Sequence, residues 1–164
     1  ERELSMNQRV NYAEQSPELF KKLSALSMSV GNSSIDATTR HLLEIRASQI
    51  NGCGLCVDMH IKQAVINGER ALRLHHLVIW RESPLFSERE RAALAWTEVL
   101  TRIPEHGVSD EIFQQVREQF SEKEISDLTF IIMSINAWNR ANVAFRTVPG
   151  SLGAAYGLDK AHLA

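Results

Sequence analysis

Residues 121–148 read SEKEISDLTFIIMSINAWNRANVAFRTV, and that stretch decides the fold. Ser121-Glu122-Lys123-Glu124 is a capping box, in which the serine hydroxyl and the glutamate carboxylate three residues on satisfy each other's backbone N–H groups. It opens a long helix that Pro149 closes, since a residue before proline is pushed out of the helical region. Its apolar run, Leu128 to Ile135, is broken by Thr129 and Ser134 and is far too short to span a bilayer. Working outward, Ser87-Glu88-Arg89-Glu90 is a second capping box, followed by Ala92, Ala93, Leu94, Trp96 and Leu100. Another helix is expected from about Ser109 to Phe120.

Toward the amino end, Ser16-Pro17-Glu18 predicts a helix with a capping serine and a proline at its first position, carrying Leu19, Phe20, Leu23, Leu26 and Val30. Gly31-Asn32 stops it. A helix from near Asp36 to Asn51-Gly52 and one from about Cys53 to Asn67-Gly68 follow, and Glu69 to Trp80 reads as a further helix ending before Pro84. No segment alternates with the two-residue period of a strand between turn residues. The expected fold is all-α: one helical bundle spanning residues 1–164, with its core at about 16–148. A short amino-terminal arm precedes the core, and a loosely packed Gly- and Ala-rich tail follows it. No repeat, low-complexity segment or linker divides the chain.

Composition agrees. A chain of 164 residues hides roughly 70% of its unfolded surface on folding. With 44% hydrophobic and 23% charged residues, it does not have the composition of a disordered protein. A formal charge of −2 argues against a nucleic-acid binder, which needs a concentrated excess of Lys and Arg. No basic, apolar leader opens the sequence, so a cytoplasmic location is expected.

The 2 cysteines fall within four residues, Cys53 and Cys56. A bridge closing so small a loop adds little stability, so their proximity points to chemistry. In a helix starting at Cys53, Cys53, Cys56 and His60 stand at i, i+3 and i+7 on one face. Cys53 at the first turn meets unsatisfied N–H groups and the positive end of the macrodipole. A thiol with a pKa of ~8.5 is only ~3% thiolate at pH 7, whereas one near ~6.5 is ~75% thiolate, roughly a 25-fold gain in the nucleophile. His60 is placed to accept or relay the thiol proton. Glu44, on the preceding helix, returns toward His60 if the chain reverses at Asn51-Gly52, and then orients the ring or accepts its proton.

Other readings stand beside this one. A C-x-x-C is also half of a zinc site; Cys53, Cys56 and His60 would then need a fourth ligand, with His41, His75, His76 and His106 the remaining histidines. Two inert buried thiols are a third possibility. Trp80, Trp96 and Trp138 fit core or interface packing. Asn136-Ala137-Trp138-Asn139-Arg140 sets polar groups inside an apolar helix and is read first as a hydrogen-bonded helix interface, second as a substrate contact.

These residues resemble the AhpD-like alkylhydroperoxidase branch of the carboxymuconolactone decarboxylase superfamily. The likeness rests on Arg46-Ala47-Ser48-Gln49-Ile50-Asn51-Gly52-Cys53, then Cys56 and Asp58-Met59-His60, on the segment from Trp80 to Trp96, and on Ile135 to Arg140, and it covers about residues 6–150. It implies an all-helical fold assembled as trimers or hexamers, and a peroxidase cycle that needs no metal or other cofactor. Cys56 would be the peroxidatic thiolate, Cys53 the resolving thiol and His60 the proton relay, with a partner dithiol protein as reductant. Two positions differ from the family pattern. His41 stands where the family carries its relay glutamate, and Glu44, one turn later, faces similarly and can substitute. Leu55 replaces the histidine before the second cysteine. The decarboxylase branch normally lacks the C-x-x-C pair. The expected function is thus a thiol-dependent peroxidase acting on organic or hydrogen peroxides in antioxidant defence, with catalytic residues Cys56, Cys53, His60, Glu44 and His41. The alternatives are a dithiol–disulfide oxidoreductase serving a partner protein and a non-enzymatic helical module that senses redox state.

Overall fold

The computed structural model describes residues 7–163; residues 1–6, the outer part of the expected amino-terminal arm, and Ala164 lie outside the described residues. Among those described, eight α-helices and two 3-10 turns follow one another and no strand forms. In order they are α1 (Tyr12–Gln15), α2 (Pro17–Gly31), α3 (Ala37–Asn51), α4 (Gly54–Ile66), α5 (Ala71–His76), a 3-10 turn (Leu77–Ile79), α6 (Glu88–Thr101), α7 (Asp110–Gln119), α8 (Glu122–Phe145) and a second 3-10 turn (Leu158–Ala161). Among the described residues no helix is long and apolar enough to cross a membrane.

Local signals place most of these boundaries. Both capping boxes form. Ser87 N–H donates to the Glu90 carboxylate at 2.8 Å and Glu90 N–H returns to the Ser87 hydroxyl at 3.2 Å; Ser121 and Glu124 do the same at 2.8 and 3.3 Å. Asp36 caps α3 by accepting from Thr39 N–H at 2.8 Å. Ser16, expected to cap α2, makes no side-chain cap bond, so that helix starts on Pro17 alone.

α3 is the centre of the bundle. It packs against α4, α6 and α8, and Leu42, Leu43, Ile45 and Ala47 are at most 1% exposed. The main core gathers these with Leu94, Leu128, Ile131 and Ile132. Trp80 and Trp96 are buried with their indole N–H groups satisfied by Glu98 and Thr129. A second, smaller cluster forms where α3, α4 and α8 meet: Ala47, Cys53, Leu55, Cys56 and Ile135.

Two segments differ from the sequence expectation. Residues 69–80 are not one helix but the short α5 followed by a 3-10 turn. Leu74, Leu77 and Trp80, three residues apart, are all buried. A 3-10 turn stacks i over i+3, whereas an α-helix would swing the three progressively off one face. The tail is not loosely packed either. Leu158 and Ala161 are buried, and their 3-10 turn lies against α4. Pro149 stands so close to Gly54 that a Cβ there would meet its ring at 2.9 Å.

The turn that delivers the cysteines is built by Gly52. It ends α3 at φ +67, with Gly52 N–H bonded to Gln49 O at 3.3 Å and Cys53 N–H to Ser48 O at 3.0 Å. That is a Schellman closure, in which a left-handed residue lets the chain reverse at once. A Cβ at Gly52 would meet no atom within 4 Å, so Gly52→Ala incurs only the left-handed backbone cost, about 1 kcal/mol. The expected result is a drop in Tm of about 3 °C without loss of helix content by circular dichroism.

Candidate functional site

Cys53 is the N-cap of α4, and its Sγ occupies the place a serine or aspartate oxygen usually takes, accepting from Cys56 N–H at 3.3 Å. The two sulfurs are joined as a disulfide with a Cα–Cα distance of 5.3 Å, within the ordinary range for such bridges. Both cysteines are deeply placed, at 1% and 4% exposed. Sulfurs bonded to each other are not zinc ligands. His75 and His106 are exposed, His76 engages the Ser83 hydroxyl at 2.9 Å, and none of the three lines the cleft at the pair.

The reversal at Gly52 lays α3 back along α4 and brings Glu44 to His60. Glu44 Oε2 lies 3.1 Å from His60 Nδ1 and 3.4 Å from His41 Nδ1, while Oε1 lies 3.6 Å from Arg40. His41 and Glu44 are therefore not alternatives: spaced i and i+3 on α3, they join His60 in one cluster. Neither nitrogen is aligned with Oε2 for a directional hydrogen bond, so these contacts are chiefly electrostatic. Burial alone would raise the Glu44 carboxyl pKa. The positive charge of His60, the close approach of both rings and the charge of Arg40 outweigh it and hold the group well below the usual carboxylate range. His60 itself stands one helical turn beyond Cys56, on the same face of α4.

The donor atoms of His41, Glu44 and His60 lie within 4.8 Å of one another, a spacing that a metal ion also accepts. Arg40 already neutralises the only carboxylate of the three, however, leaving no net negative charge to favour a divalent cation. The arrangement is better suited to holding and moving a proton.

Asparagines pin this corner of the bundle. Asn51, the last residue of α3, donates to Asn136 Oδ1 at 2.9 Å and Asn139 Oδ1 at 3.0 Å, while Asn139 donates to the Ser48 hydroxyl at 3.0 Å. Asn136 and Asn139 are thus interface residues, the first reading of their polar setting in an apolar helix. Three residues further along α8, Asn142 reaches Cys56 Sγ at 3.7 Å and accepts from the Tyr12 hydroxyl at 3.0 Å. Neither Asn142 nor Tyr12 was among the expected site residues. The available signal was the three-residue spacing of Asn136, Asn139 and Asn142, which puts all three along one side of the helix.

An open cleft of about 650 Å³ leads to the pair from solvent, lined among others by Gln49, Cys53, Val57, Ile61, Lys62 and Leu163. It meets Cys53; Cys56 is not part of its wall. Pro149 and Leu163 make the tail one side of this entrance.

The model of the carboxymuconolactone decarboxylase family matches residues 17–99. The uncharacterized protein YdfG of Bacillus subtilis (strain 168) is 43% identical over 139 residues, covering 85% of this chain and 95% of that protein. A solved protein of unknown function from Agrobacterium tumefaciens, provisionally described as the antioxidant defence protein AhpD, is 43% identical with a TM-score of 0.84 over 87% of this chain and 98% of its own. An uncharacterized peroxidase-related protein from Ralstonia eutropha JMP134, described as an alkylhydroperoxidase AhpD core, has a TM-score of 0.75 at 19% identity over 85% of this chain and 74% of that one. That last likeness is one of fold.

Proposed function

The chain belongs to the carboxymuconolactone decarboxylase family, in its AhpD-like branch, and from that membership and the geometry above we propose that it is a thiol-dependent peroxidase. The observation that carries the reading is the Cys53–Cys56 disulfide at the start of α4, with the His60–Glu44 contact one turn further on. In the reduced protein the Cys56 thiolate attacks the O–O bond of a hydroperoxide. Cys56 becomes a sulfenic acid and the distal fragment leaves as alkoxide, which takes up a proton to become the alcohol, or water from hydrogen peroxide. Cys53 then attacks the sulfenic sulfur, the S–S bond forms and water departs. His60, with Nδ1 turned to Glu44, carries the protons of these steps through its other nitrogen, and His41 supports the same carboxylate.

Reduction closes the cycle. Cys53 lines the cleft and Cys56 does not, so a thiolate of a partner dithiol protein attacks Cys53 and expels Cys56 as a thiolate. The partner's second thiol resolves the mixed disulfide, leaving both cysteines reduced and the partner oxidised. Leu19 and Met28 on α2 and Phe130 and Met133 on α8 are 47–73% exposed, which supports assembly of this chain as a homo-oligomer, a trimer or a hexamer.

Rapid mixing of the reduced protein with hydrogen peroxide and an organic hydroperoxide, followed by mass analysis, tests the reading. One added oxygen on Cys56 should precede the bridge. The same cleft favours a second reading, in which the pair exchanges with a partner's disulfide and leaves peroxide alone. Thiols untouched by every hydroperoxide, together with a partner trapped on Cys53 in the Cys56→Ser protein, would establish the second and discard the first.

A further inference from the structure

The geometry points to a further catalytic residue: we infer that Asn142 stabilises the Cys56 thiolate through its side-chain amide, and that Tyr12 positions that amide. The inference rests on the peroxidase reading only in taking Cys56 as the sulfur that carries the charge.

Cys56 lies in the first turn of α4, beside the capping sulfur of Cys53. The cap donor, Cys56 N–H, is committed to Cys53 Sγ at 3.3 Å. Asn142 of α8 supplies the Cys56 sulfur with a donor from outside the helix, its Nδ2 at 3.7 Å. The distance is long because a disulfide sulfur is a weak acceptor; a thiolate is a strong one and draws the same N–H closer.

Which way the amide points follows from its neighbours. Nδ2 also donates to Trp138 O at 3.0 Å, so its two hydrogens face a carbonyl and the sulfur, both acceptors. Rotated by half a turn, the amide would set its oxygen against that carbonyl and that sulfur. On the other side Oδ1 accepts from the Tyr12 hydroxyl at 3.0 Å. Three partners thus occupy the group, and Asn142 is only 6% exposed. Tyr12 is held in turn. Its ring stacks on Phe145 at 5.6 Å, and Arg9 N–H bonds to Phe145 O at 2.8 Å, tying the segment to the end of α8. Burial raises the Tyr12 pKa above its ordinary value, so the phenol remains a donor throughout the range in which a thiol ionises. The segment before α2, expected as a mere arm, thereby reaches the reacting sulfur through a single intermediate.

The test uses the full chain with Cys53→Ser, which leaves one thiol and keeps an oxygen at the cap. Alkylation of Cys56 by iodoacetamide is followed across pH, with His60 on α4 and His41, Glu44 and Arg40 on α3 intact in every variant. Asn142→Ala should raise the apparent thiol pKa by about one unit, so that alkylation at lower pH slows about tenfold. Asn142→Asp should raise it further, since it replaces a donor with a like charge. Tyr12→Phe should raise it less, with an alkylation rate about threefold lower, a shift of about half a unit. A role in packing alone would lower Tm and leave this pH profile where it was. An unchanged profile in folded Asn142→Ala protein overturns the inference. Should that variant fail to fold, Tyr12→Phe, which removes one hydroxyl, decides it by the same criterion. Alkylation involves no peroxide, so a shifted profile in a protein that consumes none would leave this inference standing and the peroxidase reading refuted.

Discussion

Replacing Cys56 by serine is expected to reduce peroxide consumption by a thousandfold or more, while Cys53→Ser should spare the first turnover and block the rest. The asymmetry follows from the order of bond-making. Peroxide meets a thiolate, and a serine hydroxyl in the same place is not ionised at neutral pH and has no activating base matched to it. Without Cys53 the Cys56 thiolate still attacks. Its sulfenic acid then has no neighbour to condense with, and it accumulates or climbs to the irreversible sulfinic acid. Single-turnover mixing with mass detection separates the two variants. A Cys56→Ser protein that consumes hydroperoxide at the parental rate would sink the assignment, and so would loss of the first turnover in a folded Cys53→Ser protein.

Glu44→Gln is expected to lower stability by about 2–3 kcal/mol at neutral pH and to slow peroxide turnover about 100-fold. Removing one partner of a buried ionic cluster leaves the others uncompensated, which typically costs 3–5 kcal/mol. The lower figure applies here because Arg40 keeps some solvent. The kinetic figure is the usual contribution of a positioned acid–base group. The pH dependence has a definite sign. In the folded protein the Glu44 carboxyl titrates well below its ordinary value. Its stabilisation is therefore complete above the unfolded pKa of about 4.3 and fades as pH falls toward the folded one. Urea unfolding at about pH 7 and about pH 3 should show parent and variant far apart at the first and closer at the second. A gap of the same size at both would mean that the charge of Glu44 contributes nothing to stability.

What could be read from the residues alone was local. The capping boxes at Ser87 and Ser121 involve neighbours in the chain, so four residues announce them. Asn51-Gly52 is equally legible, since only a left-handed residue turns α3 into α4 so tightly. That turn sets the register of Cys53, Cys56 and His60, and with it the approach of Glu44. Features decided by distant packing were not legible. Leu74, Leu77 and Trp80 fit either helix type until the core demands that all three be buried. The tail looks featureless because small residues carry no periodic signal, yet smallness is what lets Ala161 and Gly153 pack closely. Asn142 lies 86 residues from Cys56, and no spacing rule connects them. The cleft's preference for Cys53 likewise depends on where Pro149 and Leu163 come to rest.

The cap bond from Cys56 N–H to Cys53 Sγ reaches beyond helix initiation. In the oxidised protein that sulfur is a feeble acceptor; after reduction, a thiolate there would hold the same N–H much more firmly. The amino end of α4 thus stabilises the dithiol relative to the bridge and moves the couple's midpoint potential toward the oxidising side. Each 1.4 kcal/mol of such preference corresponds to about 30 mV for a two-electron couple. The helix that presents the sulfurs also sets how readily they surrender their bond to a donor of electrons.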